Sequence, residues 1–236
     1  FLRGERIAGD TPRRPEDPLP FPIVAGYQKV GVVEWVGRDV EDIRVGETVF
    51  CALGRVSGMF ADYGGHVSPS VSPRNQIWKL PAGHDPVAFA GLVLAQVGYN
   101  CGWRAPVQPA DGALVIGDGL VGQWAAQTLA MRGAEVAMVG RHDYRLEKFR
   151  AAVHRYAINE RQCDWAQCVR SLLPRGVRVA VDTVGSIEAV EKALPLMGRH
   201  GHIVSAGFYG LSDALHLQPL RAAELTVDLV SGWSQE

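Results

Sequence analysis

Residues 113–141 constrain the chain more than any other stretch. Ala113 to Ile116 form a short apolar run with β-branched members, as expected of a strand buried on both faces. Gly117-Asp118-Gly119-Leu120-Val121-Gly122 follows, and then Leu120, Trp124, Gln127, Thr128 and Met131 recur at helical spacing up to a stop at Gly133. A second apolar run, Val136 to Val139, comes next. Strand, glycine turn, helix and strand in this order form the first half of a dinucleotide-binding unit.

Each glycine has a physical task in such a unit. Gly117 permits the tight turn out of the strand, Gly119 lets backbone approach a pyrophosphate, and Gly122 lets the helix pack close to the sheet. The amides of Gly119, Leu120, Val121 and Gly122 lie at the positive end of the helix, where an anion is stabilised.

The end of the second strand bears on which dinucleotide is bound. An acid about 20 residues after the motif reads the ribose 2′-hydroxyl of NAD, whereas an arginine there accommodates the 2′-phosphate of NADP. The chain has Gly140-Arg141-His142, with no carboxylate at the strand end and a guanidinium beside it. The expectation is NADP(H) rather than NAD(H), with Arg141 as the phosphate contact; the alternative for Arg141 is a solvated loop charge. Asp143 fits a helix cap.

At 236 residues the chain can form one large or two ordinary domains. A net charge of −1 gives no reason to expect nucleic acid or an anionic membrane as partner. No stretch is apolar for long enough to span a bilayer. Cys51, Cys101, Cys163 and Cys168 are scattered without a framework, which suggests a reducing, cytoplasmic setting. The first residue is Phe1 and Glu236 follows closely on an apolar run, so both ends read as cut.

Five prolines among charges make residues 1–22 an extended loop. Short strands are expected over 29–37, 47–52, 60–67 and 76–80, a pattern of a small barrel or sandwich. One or two short helices over 84–103 lead to a domain boundary at 108/109. Beyond the glycine motif, helices at 144–153, 165–173 and 187–197 alternate with strands at 156–158, 177–182, 202–206 and 225–230. That alternation implies a doubly wound parallel sheet.

Taken together, these residues resemble the medium-chain dehydrogenase/reductases, which include zinc alcohol dehydrogenases and zinc-free quinone reductases. The landmarks appear in family order: Gly31–Gly37, Val45–Val49, Gly58–Tyr63, Lys79-Leu80-Pro81, the glycine motif, Asp182–Gly185 and Gly201–Gly207. The resemblance implies a GroES-like, β-rich catalytic domain over 1–108, truncated at its N-terminus. It also implies a Rossmann domain over 109–236, truncated at its C-terminus, and a homodimer or homotetramer. Val184-Gly185 and Ala206-Gly207-Phe208 would line the ribose and nicotinamide; Gly185 and Gly207 could equally be plain turn glycines.

The departures from the family pattern concern metal. Zinc-dependent members place a histidine ligand in a Gly-His-Glu motif, and here Gly26-Tyr27-Gln28 stands at the matching position. A phenol and an amide carbonyl are poor zinc donors at neutral pH. Only Cys51 lies near the place of the family's structural cysteine quartet, and Cys163 and Cys168 read as packing residues. No zinc is expected. Tyr27 is then the candidate hydrogen-bond donor to a substrate oxygen, or else an aromatic wall of the pocket. His66 and His84 are undecided, and His200 and His202 read as surface.

The implied activity is zinc-independent hydride transfer between nicotinamide and a carbonyl or alcohol, quinone or enone. Pro22–Gly31 and Ala206–Tyr209 also resemble the bacteriochlorophyllide dehydrogenase branch. A catalytically weak NADPH-binding protein is the alternative of a different class.

Overall fold

The computed structural model describes residues 4–7, 11–150, 155–211 and 213–230. The chain divides into two compact units, Phe1–Val93 and Leu94–Glu236.

In the first unit, β1 (Lys29–Val32), β2 (Thr48–Cys51) and β5 (Ile77–Lys79) form an antiparallel sheet in the order β1-β2-β5. The register pairs Val30 with Phe50 and Phe50 with Trp78. Phe50 is buried on this sheet, with its ring 5.9 Å from that of Trp78. A two-stranded ribbon joins β3 (Gly54–Arg55) to β4 (Tyr63–Gly64). The strand expected over 29–37 stops at Val32, and that over 60–67 shrinks to two residues. Apolar alternation overstated both, because Val32 and Trp35 in the first and Phe60 and Tyr63 in the second are exposed rather than packed.

The second unit carries α1 (Leu92–Arg104), which starts at the boundary, then β6 (Gly112–Ile116), α2 (Leu120–Met131), β7 (Glu135–Gly140) and α3 (Asp143–Arg150). β8 (Arg155–Asn159), α4 (Trp165–Leu172), β9 (Val177–Asp182) and α5 (Ile187–Ala193) follow. β10 (Met197–Ser205), α6 (Leu217–Ala222) and β11 (Thr226–Leu229) complete it. The expected end of the 144–153 helix lies outside the described residues.

Six strands form one sheet in the order β11-β10-β9-β6-β7-β8, and every pair is parallel. Sequence order reverses between β6 and β9. In such sheets ligands bind beyond the carboxyl ends of the strands at that reversal. Both faces are covered: Val115, Leu129, Val136 and Val179 belong to one apolar cluster, and Leu114, Val139, Trp165 and Ala180 to the other. Each of the valine and leucine side chains among them contributes about 1.5–3 kcal/mol by leaving water.

Two sequence expectations shift here. The unit boundary falls at Val93/Leu94 rather than 108/109, because Val97, Cys101, Ala105 and Val107 pack into the parallel-sheet core. Of the periodic residues of α2 only Thr128 is buried, while Leu120, Trp124 and Met131 are exposed. The buried stripe is Gly122, Ala125, Ala126, Thr128 and Leu129. Apart from Leu129 the stripe is made of small side chains, which set a close helix–sheet approach.

Candidate dinucleotide-binding site

The backbone of β6 leaves the sheet at Gly117, whose φ of 115° is closed to most L-residues. A Cβ there would also meet Thr183 Oγ1 at 2.3 Å, the hydroxyl that donates to Ile116 O at 2.9 Å. A Cβ at Gly122 would lie 2.0 Å from Gly117 O, so the first turn of α2 rests directly on the loop. Gly119 caps α2 without a side-chain hydrogen bond, and the space around its Cα is open. The first-turn amides of α2 therefore have no capping side chain, and no Cβ stands in front of them. That arrangement fits a pyrophosphate.

The second residue of the motif departs from this open arrangement. Asp118 is buried, and its Oδ2 accepts hydrogen bonds from the amides of Arg141 (2.8 Å) and His142 (2.7 Å). His142 Nδ1 lies 3.0 Å from the same oxygen, and Arg145 Nη1 lies 3.5 Å from Oδ1. Burial alone would raise the Asp118 pKa; the His142 amide and ring and the Arg141 amide outweigh it and hold the carboxyl below the ordinary aspartate range. Arg141 itself forms an ion pair with Glu160, beyond the end of β8. The sequence around the end of β7 holds no carboxylate, yet two carboxylates stand against Arg141 in space. Neither was visible as a neighbour in the sequence.

At the ends of β9 and β10, two turns press together. A Cβ at Gly207 would lie 2.4 Å from Gly185 Cα, and Gly185 has a φ of 78°. Asp182 organises both turns. Its buried carboxylate accepts from the amides of Val184 (3.0 Å) and Gly185 (3.1 Å), from Ser205 Oγ (3.2 Å) and from Tyr209 OH (2.6 Å). Ser205 Oγ also accepts from the Gly207 amide at 3.1 Å. Burial, and then the bond to Asp182, push the Tyr209 phenol above its ordinary pKa, which keeps it protonated and donating. Val184 and Phe208 present half-exposed side chains beside these turns, and Ala206 lies between them partly buried.

The structure thus gathers Gly117, Gly119, Leu120, Val121, Gly122 and Arg141 around one loop, and Val184, Gly185, Ala206, Gly207 and Phe208 around the neighbouring turns. Sequence reasoning missed Asp118, Glu160, Asp182, Ser205 and Tyr209 as organisers. The available signal was an acid inside a glycine motif together with glycine at position 140.

In the first unit, Tyr27 precedes β1 with 44% of its surface exposed. Gln28 Oε1 accepts from the Val93 amide at 3.0 Å, a structural bond. His66 and His84 are exposed, and His84 meets the Phe89 ring edge-on. His202 is not at the surface as expected: it sits half-buried inside β10, its Nε2 without a partner, and burial lowers its pKa. Cys163 also departs from expectation, being exposed rather than packed, with Cys168 Sγ 2.8 Å away. Among the described residues no group of three or more His, Cys, Asp or Glu is placed to hold a metal ion. No helix among them is long and apolar enough to cross a membrane.

Residues 121–235 match the family model described as zinc-binding dehydrogenase. The chain is 24% identical over 220 residues to an alcohol dehydrogenase of Geobacillus stearothermophilus, covering 84% of this chain and 63% of that protein. These matches support the medium-chain dehydrogenase/reductase superfamily. A 2-haloacrylate reductase of Burkholderia sp. is 28% identical over 227 residues, 91% of this chain and 64% of that protein. A structure from Sinorhizobium meliloti 1021, described as a zinc-binding dehydrogenase bound to NADP, superposes with a TM-score of 0.75 at 19% identity. That match covers 90% of this chain and 69% of the other, and it shows the common fold. The chain thus spans a little under two thirds of the length of these two curated relatives.

Proposed function

We propose that this protein is an oxidoreductase that transfers a hydride between a nicotinamide dinucleotide and a small carbonyl or alcohol, quinone or enone. The single observation that carries the reading is the glycine loop. Its open backbone at Gly119 and the uncapped first turn of α2 sit at the strand-order reversal of a parallel sheet. Relatives named alcohol dehydrogenase and 2-haloacrylate reductase support the reaction class.

In this reading the first-turn amides of α2 hold the pyrophosphate. The Asp182–Ser205–Tyr209 bonds fix the turns carrying Val184, Gly185, Ala206, Gly207 and Phe208, which would line the ribose and nicotinamide. The bound nicotinamide supplies or accepts the hydride. Tyr27 is proposed as the donor that stabilises the substrate oxygen as charge develops there. Zinc independence belongs to the same proposal: Tyr27 and Gln28 replace the family's ligand motif, and the Gln28 carbonyl already serves the Val93 amide.

For the dinucleotide, Arg141 and the NADP-bound structural relative support NADP(H). The Asp118 and Glu160 carboxylates beside the same loop support NAD(H), a second reading with its own geometry. Homodimer or homotetramer formation and a cytoplasmic setting remain part of the proposal on family likeness.

The test is hydride transfer by the full-length protein, followed by nicotinamide absorbance against aldehydes, quinones, enones and a hydroxyethyl tetrapyrrole. Turnover with any of these at a rate lowered by Tyr27→Phe supports the reading. Saturable dinucleotide binding with no turnover would instead favour a weakly catalytic nucleotide-binding protein.

A further inference from the structure

We propose that Asp118, inside the glycine loop, is the residue that selects the cofactor's adenosine ribose, favouring the free 2′-hydroxyl of NAD(H) over the 2′-phosphate of NADP(H). The inference rests on the dinucleotide reading above.

In dinucleotide-binding units an acid at the end of the second strand accepts from the ribose 2′-hydroxyl. In this chain that strand, β7, ends at Gly140. The space is not empty. A Cβ built on Gly140 would lie 2.4 Å from Asp118 Cβ and 2.5 Å from its Oδ2. The carboxylate is therefore delivered from the loop into the place of the missing side chain, and glycine at 140 is what admits it.

The bonding of Asp118 determines what it can read. Oδ2 is committed to the amides of Arg141 and His142, the backbone donors a 2′-phosphate would otherwise use. Among the described residues Oδ1 meets His142 Nδ1 at 3.2 Å and Arg145 Nη1 at 3.5 Å, which leaves acceptor capacity for a hydroxyl. An ionised carboxylate accepts from a hydroxyl and repels a phosphate. The nearby cations do not reverse this. Arg141 pairs with Glu160, Arg145 faces Asp118 itself, and the His142 ring lies within hydrogen-bond distance of the same carboxylate.

The test is fluorescence titration of the full-length protein with NADH and NADPH, for wild type, Asp118→Asn and Asp118→Ser. Wild type is expected to bind NADH at least tenfold tighter. Both variants should shrink that ratio at least fivefold, mainly through tighter NADPH. Competition on wild type needs no variant: adenosine 5′-monophosphate should displace NADH at lower concentration than adenosine 2′,5′-bisphosphate. A wild-type preference for NADPH, or a ratio unchanged in both folded variants, overturns the assignment while leaving the dinucleotide reading intact. Absence of binding by either nucleotide overturns that reading, and this inference with it.

Discussion

Asp118 and Gly140 fit together only because position 140 has no side chain. A Cβ there would stand 2.5 Å from Asp118 Oδ2, in the volume the carboxylate occupies. The glycine loop and the end of the second strand are thereby locked into one unit by the amides of Arg141 and His142.

That lock predicts a pH dependence. The folded pKa of Asp118 is depressed, so its carboxylate stabilises the fold above the ordinary aspartate pKa of about 3.9. The contribution is lost as pH falls through the lower, folded value. Melting temperatures of wild type and Asp118→Asn should differ at neutral pH, with the variant lower, and should converge under strongly acidic conditions. A constant gap across the range would show that charge plays no part.

Gly122→Ala places a methyl 2.0 Å from Gly117 O. Helix and loop must separate, at an expected cost of about 1–3 kcal/mol in stability. In the proposed reading the loop carries the pyrophosphate contacts, so dinucleotide affinity should fall at least tenfold, read by titration at a temperature where the variant is folded. Unchanged affinity would mean that the first turn of α2 is not the phosphate cradle.

Tyr209→Phe removes the 2.6 Å donor to buried Asp182. The carboxylate keeps Ser205 and two backbone amides, so the expected destabilisation is about 1–3 kcal/mol rather than unfolding. Chemical denaturation measures it directly.

Cys163 is exposed yet should alkylate slowly. Contact with the Cys168 thiol pushes its pKa up to about 11, so little thiolate is present at mildly alkaline pH. Cys168→Ala should accelerate iodoacetamide labelling of Cys163. Equal rates in the two proteins would remove Cys168 as the cause.

The parallel sheet was legible because its strands are short apolar runs set between helices of recognisable spacing. The bounds of β9 and α2 fall where the pattern places them. The burial of α2 was only partly legible, since Gly122, Ala125 and Ala126 give no hydrophobic signal although they make up most of the stripe against the sheet. α6 went unread: six residues containing Pro219 carry no clear periodicity. At the site, the glycines announced themselves through spacing alone. The carboxylates did not, because Asp118 and Glu160 lie 23 and 19 residues from Arg141 and meet it only after the strands pair.

The glycine loop is proposed to bind a nicotinamide dinucleotide. Titration of the full-length protein with NADH and with NADPH, read by nicotinamide fluorescence, tests it most directly. Saturable binding of at least one dinucleotide is expected, weakened at least tenfold in Gly122→Ala. No saturable binding of either, by a protein shown to be folded, would contradict it.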